Sequence, residues 1–190
     1  MKNKIASLYI LFAFVSSNMY SDEIDLYKKA YDYITHDSTL MGRINPLLDK
    51  KIDTLSFYVS EQVLTFNPEV FTDEILDYEF SGCSEKDREA IDFYLGSYYT
   101  QVYDIEDSLQ NFNPGLYHQY KFNLILFFSK IYSNKLTATI NFYRYWHPLN
   151  FSYYNGSFRG VTIHYMFYFN ENYSEKDVNI SKVFLSLTQD

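Results

Sequence analysis

From residue 122 onward the chain alternates side chains one for one. Phe122, Leu124, Leu126 and Phe128 alternate with Asn123, Ile125, Phe127 and Ser129. Leu136, Ala138, Ile140 and Phe142 alternate with Thr137, Thr139, Asn141 and Tyr143, and Val161, Ile163, Tyr165 and Phe167 with Thr162, His164, Met166 and Tyr168. A period of two predicts strands, each with an oily side and a mixed side, as in an antiparallel sheet with one face on a core. A last strand is expected over 178–187, giving a sheet of about four strands.

The first half has a different period. Ser21 is placed to cap a helix whose first turn holds Asp22, Glu23 and Asp25, and Ile24, Tyr27, Tyr31 and Ile34 then fall on one face. This helix is expected to end near His36, where an imidazolium suits the helix dipole. Residues 40–66 contain alternating Ile52, Leu55, Phe57 and Val59 and predict one or two strands. A short helix is expected over 72–78. Ser84 with Asp87 resembles a capping box, and Ile91, Leu95, Tyr98 and Val102 extend a second helix from Ser84 to about Val102. "NPG" at 113–115 is a turn that separates the helical half from the strands. The expected fold class is therefore α+β, with N-terminal helices packed on a C-terminal antiparallel sheet. In architecture this resembles the NTF2-like and cystatin-like folds, which host enzymes and binding modules alike.

The N-terminus reads "MKNKIASLYILFAFVSS", with Lys2 and Lys4 ahead of an apolar run from Ile5 to Val15. The run is shorter than the roughly 18 to 20 residues a membrane span needs, so it predicts a signal peptide over 1–17, cleaved after Ser17. Residues 18–190 then form a single α+β domain, expected outside the cytoplasm, secreted or periplasmic, with no membrane span. The lone Cys83 is no lipidation site at that cleavage point and has no intramolecular partner. Burial is its expected fate.

Charge is uneven. Residues 18–110 hold 20 acidic and 7 basic side chains, residues 111–190 only 4 acidic and 7 basic. No concentrated basic patch is present, which argues against nucleic acid as a partner. Aromatic residues make up 21% of the chain, but A+T-rich codons favour Tyr, Phe, Ile, Asn and Lys together, so only the placement of the rings is informative.

No catalytic motif is recognisable, and neither a cofactor nor a metal is expected. The densest ring cluster is "WHPLNFSYYNGSFRG" at 146–160, where Asn155-Gly156 predicts a two-residue hairpin turn. That register would set Tyr145 opposite Met166 and His147 opposite His164, two imidazoles close enough to share a proton or a metal. The candidate ligand-binding residues are Tyr143, Tyr145, Trp146, His147, His164 and Tyr168, on the mixed face of the sheet. Rings with polar tips in few fixed charges suit recognition of a protein or small ligand more than turnover. The alternative is a small hydrolase or isomerase with His164 or His147 as general base in a pocket between helices and sheet.

Overall fold

The structure, a computed structural model, describes residues 20–47, 53–113, 124–142, 161–170 and 179–189. Helix α1 (Tyr20–His36) is followed by the short α2 (Leu40–Ile44), β1 (Phe57–Val59) and β2 (Gln62–Leu64). Next come α3 (Thr72–Glu79), α4 (Glu85–Leu95) and β3 (Val102–Ile105). The chain closes with β4 (Leu124–Phe128), β5 (Lys135–Phe142), β6 (Val161–Phe169) and β7 (Ile180–Gln189). Among the described residues the main sheet runs β1-β4-β5-β6-β7, antiparallel except that β1 lies parallel to β4, and β2 and β3 form a separate pair. The class is α+β as the periodicity predicts, with five strands rather than four because β1 joins the edge.

Each face of this sheet has its own cover. On one side Leu124, Leu126 and Phe128 of β4, Leu136, Ala138 and Ile140 of β5, and Ile163, Tyr165, Phe167 and Phe169 of β6 form the main core. Leu26, Tyr27, Ala30 and Ile34 of α1 close over it, with Leu40 and Ile44 of α2. The buried stripe of α1 is thus shifted from the expected one, since Leu26 and Ala30 lie in it while Tyr31 is only half-buried against Phe112. A rotation of this kind follows from packing, which accepts a small alanine wherever the helix comes closest to the sheet.

The second face is covered by side chains from residues 64–102. Phe71, Ile75 and Leu95 pack on Met166 and Tyr168, and Leu64 packs on Ile125 and Phe127. β4 is accordingly buried on both faces. The mixed face is therefore not the open surface that strict alternation predicts. Its apolar members, Ile125, Phe127 and Met166, are what the second layer needed.

Other differences have local causes. The helix at Ser84 is capped as expected, the hydroxyl accepting from the Asp87 N–H at 3.3 Å, but it ends at Leu95 rather than near Val102. Gly96 follows, the Ser97 hydroxyl bonds the Tyr94 carbonyl, and Val102 goes to β3 opposite Leu64, where a β-branched side chain fits better than in a helix. Cys83 is exposed, not buried, because it lies in the turn before the Ser84 cap. The β4–β5 hairpin turns through Ser133 and Asn134, a site the alternation does not mark, with Ser133 at a φ of 58°. Residues 1–17 and the whole ring-rich stretch 146–160, with the hairpin expected at Asn155-Gly156, lie outside the described residues.

A polar contact just past the end of α1 ties that helix to the sheet. The buried Tyr165 hydroxyl donates to Asp37 at 2.9 Å, and the same carboxylate accepts from the N–H and hydroxyl of Thr39 at 2.9 and 2.7 Å. Burial opposes ionisation of Asp37, but the Thr39 and Tyr165 hydrogen bonds, helped by Arg43, outweigh it and hold its carboxyl below the usual range. A lowered folded-state value means the stabilisation is complete above the unfolded value, about 3.9, and is lost as pH falls through the folded one. Tyr165→Phe is expected to cost about 1 kcal/mol at neutral pH. Urea denaturation should show the gap from the unaltered protein closing as pH drops below about 4.

Candidate functional site

The alternation of β6 sends Thr162, His164, Met166 and Tyr168 to the second face, and the register fixes their neighbours. His164 lies between Thr139 of β5 and Ser186 of β7, and Met166 between Thr137 and Phe184. Both flanks of His164 are thus taken by other strands. The expected ladder that opposes His147 to His164 and Tyr145 to Met166 is corrected: β6 pairs with β5 at Thr139 and Thr137 instead, so the facing imidazoles are not formed through that hairpin. Tyr143, Tyr145, Trp146 and His147 lie outside the described residues.

His164 sits among hydroxyls. Its Nδ1 is 3.3 Å from Thr139 Oγ1 and its Nε2 3.1 Å from Thr188 Oγ1. Beside it, Thr137, Thr139, Asn67 and Thr100 line a cleft of about 30 Å³ that Phe71 and Leu64 close from the lobe side. A water needs about 10–15 Å³, and a drug-sized ligand about 300–1,000 Å³. The cleft is therefore water-sized and polar, with a place for a bridging solvent molecule between sheet and cover.

Tyr168, the other described candidate, is 4% exposed and stands inside the second core. Its ring meets Tyr78 and Phe184 edge-on, at 5.2 and 5.7 Å between centroids. Its hydroxyl donates to Glu79, which also takes Lys135 Nζ at 2.7 Å, and the same ammonium lies 5.3 Å from the Tyr168 ring centroid. Burial, then the hydrogen bond to Glu79, pushes the Tyr168 hydroxyl well above the usual tyrosine value. This group joins α3 to β5 and β6. It is a buried strut between layers, and Tyr168 has no face to offer a ligand.

The exposed rings are elsewhere. Tyr94 and Tyr98, one turn apart at the end of α4, meet edge-on at 5.5 Å with their hydroxyls 3.0 Å apart. Tyr132, from the β4–β5 turn, stacks on Phe66 at 5.6 Å and lies close enough to raise the ionisation of Tyr98, though burial and the Tyr94 hydrogen bond contribute more. Tyr94 is 48% and Tyr99 72% exposed. Nearby on β3, Tyr103 is half exposed and already holds a cation, with Lys130 Nζ 4.3 Å from its ring centroid and 2.7 Å from its hydroxyl. These rings come from "YLGSYYTQVY" at 94–103, which reads as the end of a helix. Tyr94 is exposed on the helix itself, whereas Tyr98 and Tyr99 leave it because it ends at Leu95, and Gly96-Ser97 was the available signal.

The segment that carries them is acidic. Residues 60–113 hold 13 Asp and Glu against Lys86 and Arg88 alone. Among the described residues, no three His, Cys, Asp or Glu side chains gather as a metal site, and no helix is long and apolar enough to cross a membrane. No family model, no curated protein and no solved structure matches this chain.

The Tyr168 strut has a measurable signature. Tyr168→Phe and Glu79→Gln should each lower stability by about 1.5–3 kcal/mol, the range for a hydrogen bond to a charged group. In the double variant the losses should fall short of their sum by about 1 kcal/mol, since both remove the same bond. Additive losses in urea denaturation would separate the two residues energetically.

Proposed function

We propose that this chain is an exported interaction domain, without catalysis of its own, that binds a cationic protein segment through the tyrosine surface of its acidic lobe. The observation that carries the reading is that Tyr94 and Tyr98, on a segment with 13 carboxylates and two basic side chains, meet each other beside Tyr132 of the β4–β5 turn, with Tyr99 exposed next to them in the chain. Lys and Arg are attracted both by the carboxylates and by the faces of aromatic rings. Lys130 on Tyr103 is an intramolecular instance of that contact. Burial raises Tyr98 and Tyr132 above the ordinary tyrosine range, so their hydroxyls remain neutral donors at physiological pH. Tyr143, Tyr145, Trp146 and His147 remain candidates for a second part of the recognition surface.

Export rests on the sequence of residues 1–17. Intact mass of the protein recovered outside the cytoplasm is expected to give a chain starting at Asn18, and a product retaining Met1 would refute processing.

For binding, the probe is a fluorescent arginine-rich peptide, with an acidic peptide as control. Anisotropy should show binding of the basic peptide alone, weakening as salt shortens the Debye length from about 10 Å. Replacing Tyr94 and Tyr98 together by Ala leaves the net charge untouched and should weaken binding about tenfold, from two cation–π contacts of about 0.5–1 kcal/mol each. Binding of both peptides alike, or of neither, would overturn the reading. A loss seen only on substituting Tyr143 and Tyr145 would overturn the lobe as the site and move recognition to the end of β5.

A further inference from the structure

The two edges of the main sheet are finished differently. β1 is three residues long, and its outer side is met by the buried Asn113, whose amide oxygen accepts from the Val59 N–H at 2.7 Å and whose amide nitrogen donates to the Val59 carbonyl at 2.9 Å. One side chain thus stands where the next strand's backbone would be. β7, at the opposite edge, is ten residues long and pairs along one side with β6. Alternate residues of such a strand turn their N–H and C=O outward. Among the described residues no hydrogen bond meets that outer side.

Natural sheets guard an open edge with charge, proline or a bulge. In β7 the guards stand only at the start, where Ser181 is left out of the register and Lys182 follows it. From Val183 to Thr188 there is no charged residue, no proline and no irregularity. Leu187, within this stretch, is 40% exposed.

We infer that β7 pairs antiparallel with β7 of a second copy of this chain, about a two-fold axis at Leu185, joining two sheets into one of ten strands. The side chains of the edge fit their own reverse. With Leu185 opposite itself, Val183 faces Leu187 of the second copy, which covers an exposed leucine and continues the row of the main core. On the other face Phe184 lies opposite Ser186, and Lys182 opposite Thr188. The one charge in the stretch never meets its equal, and the isologous contact closes after two subunits. A copy also brings an edge of the same length and the same lack of guards. This surface is separate from the tyrosine lobe and does not depend on the function proposed for it.

The test uses the full-length chain in reducing buffer, so that Cys83 cannot link copies. Sedimentation velocity from about 1 to 100 μM should show a species of twice the chain mass that dissociates on dilution. Leu187→Lys should raise the dissociation constant at least about tenfold, with an unchanged circular dichroism spectrum. In a Cys83→Ser background, Leu185→Cys should oxidise to a covalent dimer, because opposed Cβ atoms lie about 4.5–5.5 Å apart, whereas Ser181→Cys should not. A monomer throughout that range overturns the inference. So does a dimer indifferent to Leu187→Lys or linked equally well from Ser181→Cys; if the lysine variant misfolds, the two cysteine variants decide.

Discussion

The stretch of β6 from Tyr165 to Phe169 is buried on both faces, and the rest of the molecule is arranged around that constraint. Ile163, Tyr165, Phe167 and Phe169 belong to the core under α1, while Met166 and Tyr168 belong to the core under α3 and α4. Every residue in it must therefore suit one of two interiors. A strand so placed cannot leave its polar groups to solvent, so each needs a partner from the neighbouring strands or from the covering layers. His164 finds two threonine hydroxyls, Tyr165 finds Asp37 and Tyr168 finds Glu79. The two layers are thereby fixed to the sheet by polar contacts of known direction as well as by apolar area.

The acidic lobe makes the last of these contacts, Tyr168 with Glu79, consequential. Its carboxylates repel one another, and Lys86 and Arg88 offset little of that charge. Arg88 is engaged locally, joining α4 to the Asp77 carboxylate and the Leu76 carbonyl at the end of α3. The cation that forms an ion pair between lobe and sheet among the described residues is Lys135, from β5, about four-fifths buried at its side chain. A surface ion pair contributes little, but one that also accepts a tyrosine hydroxyl in a partly desolvated site contributes more, because removing either partner strands the other. Lobe and sheet are held together where their compositions are most unlike.

How much of this was legible in the sequence follows from which forces leave a periodic trace. β5, β6 and β7 and the oily face of the sheet were read correctly, because one-sided burial writes itself as alternation. α1, α3 and the Ser84 cap were legible from their acidic first turns. The second cover was not, since Ile125, Phe127 and Met166 on the polar side read as exceptions when they were the footprint of another layer. The candidate site inherited that error. Tyr168 was counted as surface when it was core, and the outward tyrosines of 94–103 were counted as helix because the ending depends on one glycine and one serine. The His147–His164 register failed for a different reason. It assumed that the nearest strong turn sets the partner of β6, whereas β5, 25 residues from His164 at Thr139, was the stronger competitor.

The tyrosine content and the acidic content of this chain are physically connected. Phenylalanine has no polar group to satisfy, and Phe127, Phe128, Phe167 and Phe169 are all buried. A buried tyrosine carries a hydroxyl that must be satisfied. Tyr27 reaches the Ser129 carbonyl, but Tyr165 and Tyr168 use Asp37 and Glu79, so two carboxylates from the acidic half serve the interior of the basic half. At the surface the same ring needs no such partner, and Tyr94 and Tyr98 bond each other. Acidic segments and aromatic strands are thus matched to each other, buried hydroxyl to carboxylate.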